Sequence, residues 1–186
     1  IIGLKVAVKD IDIVKKVKSL LCYNGPLYDI VKSLPASEKS YAQACLQITN
    51  KKIVNKLAEF GIIENKSLIA KYPSLIVGAD NEEVSKSFIR GIFEGDGSIL
   101  YDKKTKSPCF QIVGTKELLE GVQNELIKYL EVTQTKLTHN TKLSNHYALR
   151  YRGRFSAMKI FDWLYSDAAH YLDRKYNAYL LLKEGF

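Results

Sequence analysis

The sequence predicts an α+β chain built as two similar halves, and three observations predict it. Short alternating or β-branched segments recur between amphipathic helical ones, so side-chain periods of 2 and of 3.6 are both present. The order strand, capped helix, hairpin, helix runs from Lys5 to Phe60 and again from Phe110 to Leu164. Finally, 46% of the 186 residues are hydrophobic, which supports packed cores and argues against disorder.

Lys5–Lys9 alternates and is read as a strand. Asp10 is placed to cap a helix with Ile11, Val14, Val17, Leu20 and Leu21 on one face and Lys15, Lys16 and Lys18 on the other. Asn24-Gly25-Pro26 breaks the chain. Leu27–Val31 and Tyr41–Ile48 read as strands joined by the polar loop Ser33–Lys39. Thr49 or Asn50 then caps a helix carrying Ile53, Val54, Leu57 and Phe60, and Gly61 ends it. Pro73 opens a weakly structured linker. The next helix runs from Asn81 or Glu82 to Gly95-Asp96-Gly97, followed by a strand at Ser98–Tyr101, a basic turn at Asp102–Pro108 and a return strand at Cys109–Val113. Thr115 caps a helix with Leu118, Leu119, Val122, Leu126 and Leu130. Thr133–Thr138 and Tyr147–Arg152 form a hairpin with the polar tip His139–His146, and the last helices are Phe155–Tyr165 and Ala168–Leu182. A repeat of roughly ninety to a hundred residues is too long for a solenoid. It indicates a duplicated domain with halves at 1–76 and 84–186, a linker at 77–83 and pseudo-twofold symmetry, which suits a partner with its own twofold symmetry, such as a DNA duplex.

A formal net charge of +8, from 28 basic and 20 acidic residues, favours an anionic partner, nucleic acid ahead of a membrane surface. No apolar run approaches the roughly 20 residues of a membrane span, and Ile1–Lys5 lacks the form of a signal peptide. The expected location is intracellular: cytoplasm, nucleoid or organelle. Cys22, Cys45 and Cys109 have neither zinc-ligand nor disulfide-framework spacing and read as reduced thiols.

The segment that carries chemistry is Phe88-Ile89-Arg90-Gly91-Ile92-Phe93-Glu94-Gly95-Asp96-Gly97-Ser98-Ile99. Gly91 inside a helix costs about 1 kcal/mol relative to alanine, a cost that close approach of another helix would offset. Gly95 and Gly97 predict a sharp turn with open carbonyls around Asp96. A carboxylate beside open carbonyls, at the negative end of a helix, is a hard-oxygen site suited to Mg²⁺.

Ile89 to Gly97 resembles the nine-residue LAGLIDADG motif of homing endonucleases. The strand after it, the internal repeat, Asn65-Lys66-Ser67 and Leu172-Asp173-Arg174-Lys175 extend the resemblance over nearly the whole chain. It implies two pseudo-symmetric αββαββα halves whose antiparallel sheets form a DNA-binding saddle, with the motif helices packed together at glycines such as Gly91. It implies a sequence-specific DNA endonuclease of the intron-encoded or free-standing kind that hydrolyses phosphodiester bonds. The metal would be Mg²⁺, or another divalent ion such as Mn²⁺ or Ca²⁺, held by Asp96 with Gly95 adding a carbonyl, and Lys66 and Lys175 would assist catalysis. The partner would be double-stranded DNA with a long pseudo-palindromic site. The expected contacts on the second half are Ser98, Lys103, Lys104, Lys106, Gln111, Lys136, Thr138, Asn140, Lys142, Arg150 and Arg152. Those on the first half are Lys5, Lys9, Lys32, Lys39, Gln43 and Gln47. Arginine and glutamine can read guanine and adenine edges, and lysines mainly hold phosphates. Tyr147, Tyr151 and Trp163 read as packing residues.

A single-chain member of that family carries two acidic motifs, and here only one is complete. Ile1-Ile2-Gly3-Leu4 aligns with Ile89-Arg90-Gly91-Ile92, but no acidic turn follows Leu4. A segment omitted after Leu4 or a truncated N-terminus, a lost first site, and pairing of two chains are the explanations left open. The first leaves a monomer, the second a nickase or a non-cleaving maturase or regulator, and the third a homodimer.

Overall fold

Alternation at the start of the chain produces β1 (Ile2–Ala7), in which Ile2, Leu4 and Val6 are half-buried and Gly3, Lys5 and Ala7 exposed. The computed structural model describes residues 1–33, 40–62, 68–140 and 144–185. It divides into units Ile1–Lys56 and Leu57–Phe186, a boundary earlier than the linker expected at 77–83. In the first unit a short 3-10 turn (Val8–Asp10) leads into α1 (Ile11–Leu20), then β2 (Leu27–Ser33) and β3 (Ser40–Ile48), and α2 (Lys51–Glu59) runs across the boundary. The antiparallel sheet has the order β1-β3-β2. One face meets α1 around buried Val14, Leu46 and Ile48. Asn50 caps α2 by accepting the Ile53 N–H at 3.1 Å. Gly61, at φ 73°, ends it with Ile62 N–H bonded to Leu57 O and Gly61 N–H to Ala58 O, the paired bonds of a Schellman stop.

Three expectations for this unit are corrected. Ile1–Leu4 does not begin a motif helix. Ile2, Gly3 and Leu4 pair with Ile48, Gln47 and Leu46, and the strand continues unbroken through Lys5 opposite Cys45. Its alternating apolar residues have a sheet partner and a core face, which outweighs the short likeness to a helix. The strand also ends earlier than expected, so Lys9 lies in the 3-10 turn, and the Asp10 side chain makes no cap hydrogen bond.

In the second unit α3 (Ser74–Ala79) and α4 (Glu82–Asp96) precede β4 (Gly97–Asp102), β5 (Ser107–Gly114), α5 (Lys116–Leu130), β6 (Thr138–His139), β7 (Tyr147–Arg152), α6 (Arg154–Tyr165) and α7 (Asp173–Glu184). The antiparallel order is β4-β5-β7-β6. Helices α4, α5 and α6 pack on the face that presents Phe110, Ile112 and Leu149. There Phe93 stacks on Phe110 at 4.9 Å, and Ile112, Leu126, Leu149 and Phe161 complete a fully buried core. Asn81 and Thr115 cap α4 and α5 through the N–H groups of Val84 and Leu118.

The internal repeat is present. β1, α1, β2, β3 and α2 correspond in order to β5, α5, β6, β7 and α6, and in both sheets the last strand of the set is central: β1-β3-β2 beside β5-β7-β6. β4 and α4 have no counterpart among the described residues of the first unit.

The second unit departs from expectation in three places. α3 occupies part of the expected linker and stops at Asp80, which adopts a left-handed φ of 44°. β6 is two residues long, not six. Its expected early part is held as irregular chain by Gln123, whose Nε2 donates to Thr135 O at 2.9 Å, so Lys136 lies off the strand. α7 begins at Asp173 rather than Ala168, because the Leu172 N–H is bonded to the Glu94 carboxylate at 2.8 Å.

α4 passes into β4 with no intervening loop. Gly97 is extended (φ −90°, ψ 163°), and a Cβ there would lie 2.2 Å from the Phe93 ring and 2.5 Å from Phe93 O. Gly97→Ala is expected to cost about 1–3 kcal/mol through overpacking, read as a loss of about 2–4 °C in Tm per kcal/mol. An unchanged Tm would show that this junction relaxes freely.

Candidate nucleic-acid interface and metal-binding helix end

Strand parity sends alternate residues of β4, β5 and β7 away from the helices. The register then places Ser98, Gln111 and Arg150 in one cross-strand row, and Leu100, Cys109 and Arg152 in the next. Arg150 Nε donates to Gln111 Oε1 at 2.5 Å. This bond uses one guanidinium N–H and limits the side chain's rotamers, leaving a fork of the kind that pairs bidentately with guanine or phosphate. Thr138 is opposite Ala148 on the same face. Lys103, Lys104 and Lys106 are exposed in the β4–β5 turn, where Lys106 takes a φ of 50°. Asp102 belongs to that turn: it accepts the N–H groups of Lys104 and Thr105, and these bonds hold its carboxyl below the usual range. It therefore stays ionised in the service of the hairpin, amid basic neighbours. Lys136 and Asn140 are exposed, off the strands.

In the first unit, Lys5, Gln43 and Gln47 share one parity, since Lys5 is opposite Cys45, Gln47 opposite Gly3 and Gln43 opposite Ala7. Lys32 is in β2. Lys39, Lys66 and Lys142 lie outside the described residues.

Asp96 is the last residue of α4, exposed, two residues before Ser98 of the open sheet face. It also borders a cleft whose lining includes Phe88, Gly91, Thr115 and His146. The surroundings differ from the sequence expectation. Neither Gly95 nor Gly97 takes a left-handed conformation, so there is no sharp turn. The carbonyls of Phe93 and Glu94 are not open: the Lys175 ammonium donates to Phe93 O and, at 3.0 Å, to Glu94 O, while the Gly97 N–H also reaches Phe93 O. Lys175 is 4% exposed and lies 4.8 Å from the centre of the Phe93 ring. It is a cation capping the negative end of a helix, which gives it a structural task where the sequence suggested a catalytic one. Gly91 and Gly95 are exposed, and among the described residues a Cβ added at either meets nothing within 4 Å beyond its chain neighbours and the backbone of its own helix.

The sequence reading missed Glu94 and His146. Glu94 is buried, accepting the Tyr165 hydroxyl at 2.5 Å and the Leu172 N–H at 2.8 Å. Burial pushes its carboxyl up, against the opposing pull of these two donors and of Lys175. His146 has a buried Nδ1 with no hydrogen-bond partner. A histidine in a polar turn carries no signal of that in sequence, and Glu94, spaced by four from Arg90 and by eight from Lys86, lies on a row of charged residues that reads as solvated.

Among the described residues no group of three or more His, Cys, Asp or Glu side chains is arranged to hold a metal. For a metal at this helix end, Asp96 alone would supply only part of a coordination shell. That fits Mg²⁺ in its usual mode, one or two carboxylates completed by waters and substrate phosphate, and does not fit an all-protein cage.

No protein-family model matches the sequence, and no curated protein matches it. Among solved structures, the N-terminal LAGLIDADG domain of DUF199/WhiA is similar, with a TM-score of 0.49 and 13% identity over 88% of this chain and 72% of that one. No helix among the described residues is long and apolar enough to cross a membrane.

The tie between α4 and α7 predicts a pH signature. With the Glu94 carboxyl raised above its ordinary 4.5, the folded chain keeps a proton there that the unfolded chain has released. The stability due to this group is therefore full below that value and is lost as pH rises through the raised one. In urea titrations across this range, wild type should lose stability relative to Glu94→Gln as pH increases; a pH-independent difference would refute the assignment. Lys175→Met takes the ammonium away from Glu94 O and leaves Phe93 O with the Gly97 N–H alone, and should cost about 1–3 kcal/mol in the same titrations.

Proposed function

We propose that this chain binds double-stranded DNA and hydrolyses its phosphodiester bonds with a divalent metal held by Asp96. The observation that carries the reading is the open, basic sheet face whose Ser98–Gln111–Arg150 row begins two residues from that exposed carboxylate. The face is a twisted antiparallel ribbon of the kind the major groove admits. Its cations are arranged for phosphates along the turn and for base edges along β5 and β7. The net charge of +8 supports a polyanionic partner.

A metal at Asp96 would supply an activated water and charge neutralisation at the phosphate. The protein's own contribution is to fix one carboxylate at the negative end of α4, beside the bound backbone. Lys175 keeps that helix end in place from within. Because phosphate must complete the shell, the metal should bind weakly to the free chain and tightly only with DNA present.

A second reading, DNA binding without cleavage or with a nick in one strand, is favoured by the lone carboxylate at this site. The two readings separate in one experiment: incubation of a randomised duplex library with wild type, Asp96→Asn and Arg150→Ala, with and without Mg²⁺. The proposed reading expects Mg²⁺-dependent cuts from wild type, at least a hundredfold fewer from Asp96→Asn with binding retained, and weaker binding by Arg150→Ala. Binding by wild type with no cuts would establish the second reading. Loss of binding in Asp96→Asn would make Asp96 structural.

A further inference from the structure

Phe155 has no place in the row that runs from Asp96. It is 84% exposed, the most exposed of the large hydrophobic side chains among the described residues. It is the second residue of α6 and directly follows Arg152-Gly153-Arg154. Gly153 has a φ of 90°, a conformation costly for any side chain, and its N–H is bonded to Pro108 O at 3.0 Å. This anchors the turn to the start of β5, so Phe155 projects from a fixed corner rather than a loose loop. The same corner carries exposed Tyr101 of β4, opposite Pro108, and exposed Arg152, opposite Cys109. The Lys103–Lys106 turn is the hairpin end next to it. Arg152 and Arg150 line a cleft there together with Tyr101 and Gly153.

Two planar aromatic faces among cations match a partner that offers negative charge and flat apolar surfaces in alternation. Phosphate and base do so; an acidic protein surface offers only the first. We infer that this corner is a second DNA contact, in which Phe155 inserts at a base step while Arg152 holds the flanking phosphate. The inference rests on the DNA-binding reading and adds that the duplex is unstacked at one step beyond the major-groove face. An apolar wedge of this kind favours flexible pyrimidine–purine steps and so selects sequence through deformability, without a hydrogen bond to any base.

The test uses duplexes with 2-aminopurine at successive steps, measured with wild type, Phe155→Ala and Phe155→Trp. Wild type should raise the probe's fluorescence severalfold at one position. Phe155→Ala should abolish the rise and weaken binding about tenfold, equivalent to about 1.4 kcal/mol, and Phe155→Trp should restore both. Binding with no rise at any step, or a rise unchanged in Phe155→Ala, overturns the wedge and leaves the DNA-binding reading intact. Failure of wild type to bind any duplex overturns both. Self-association of wild type that Phe155→Ala abolishes in sedimentation, with duplex binding unchanged, would assign the corner to a second copy of the chain instead.

Discussion

The second unit depends on how the C-terminal end of α4 is closed. A helix end leaves carbonyls without partners and gathers partial negative charge. Here a buried lysine from α7 satisfies two of them, and the next side chain, Glu94, reaches back to bind the start of α7 and Tyr165 of α6. Three helices are thereby joined at the point where α4 becomes β4. The charges lie within a single network, so the cost of burying each is reduced by the others and by hydrogen bonds. Asp96, only two residues past Glu94, is left to solvent. The contrast is between a carboxylate that holds the structure and one free to act.

This division of labour was only half legible in the sequence. Asp96 could be singled out because glycines flank it at the end of an amphipathic run. The caps at Asn50, Asn81 and Thr115 were legible because each is a short polar residue before an apolar period, a local signal that tertiary contacts did not override. The role of Lys175 was not legible. A lysine on a polar helix reads as solvated, and only the fold brings its ammonium to carbonyls more than eighty positions earlier. β6 failed for a related reason: a β-favouring run beside β7 was expected to pair, but Gln123 on α5 claims its backbone. Ile1–Leu4 failed because four residues cannot distinguish a helix start from a strand, and the sheet partner that decides it lies in β3.

The correspondence between the two sheets was more robust than any single element boundary. It rests on the order of periods along the chain, which survives shifts of a few residues at each end. Yet the two units are unequal in what they bury. The second has a core of stacked aromatic rings, Phe93 on Phe110 and Tyr165 on Tyr179, whereas the first is built on Val14, Leu46 and Ile48. Among the described residues, most of the buried side chains, and the residues that define the candidate site, belong to the second.

The sheet order β1-β3-β2 gives β1 a hydrogen-bonded neighbour on one side only among the described residues. Within the first unit, no described strand pairs with the side of β1 that does not face β3. Natural proteins guard such strands with short length and charge, and here the guard is six residues with Lys5 at their middle and Lys9 just beyond. A chain concentrated in the laboratory, or cut so that α1 no longer packs on this sheet, therefore has a built-in seam for strand exchange. Replacing Lys5 with an apolar residue, harmless to the core, would remove the protection that keeps that seam closed.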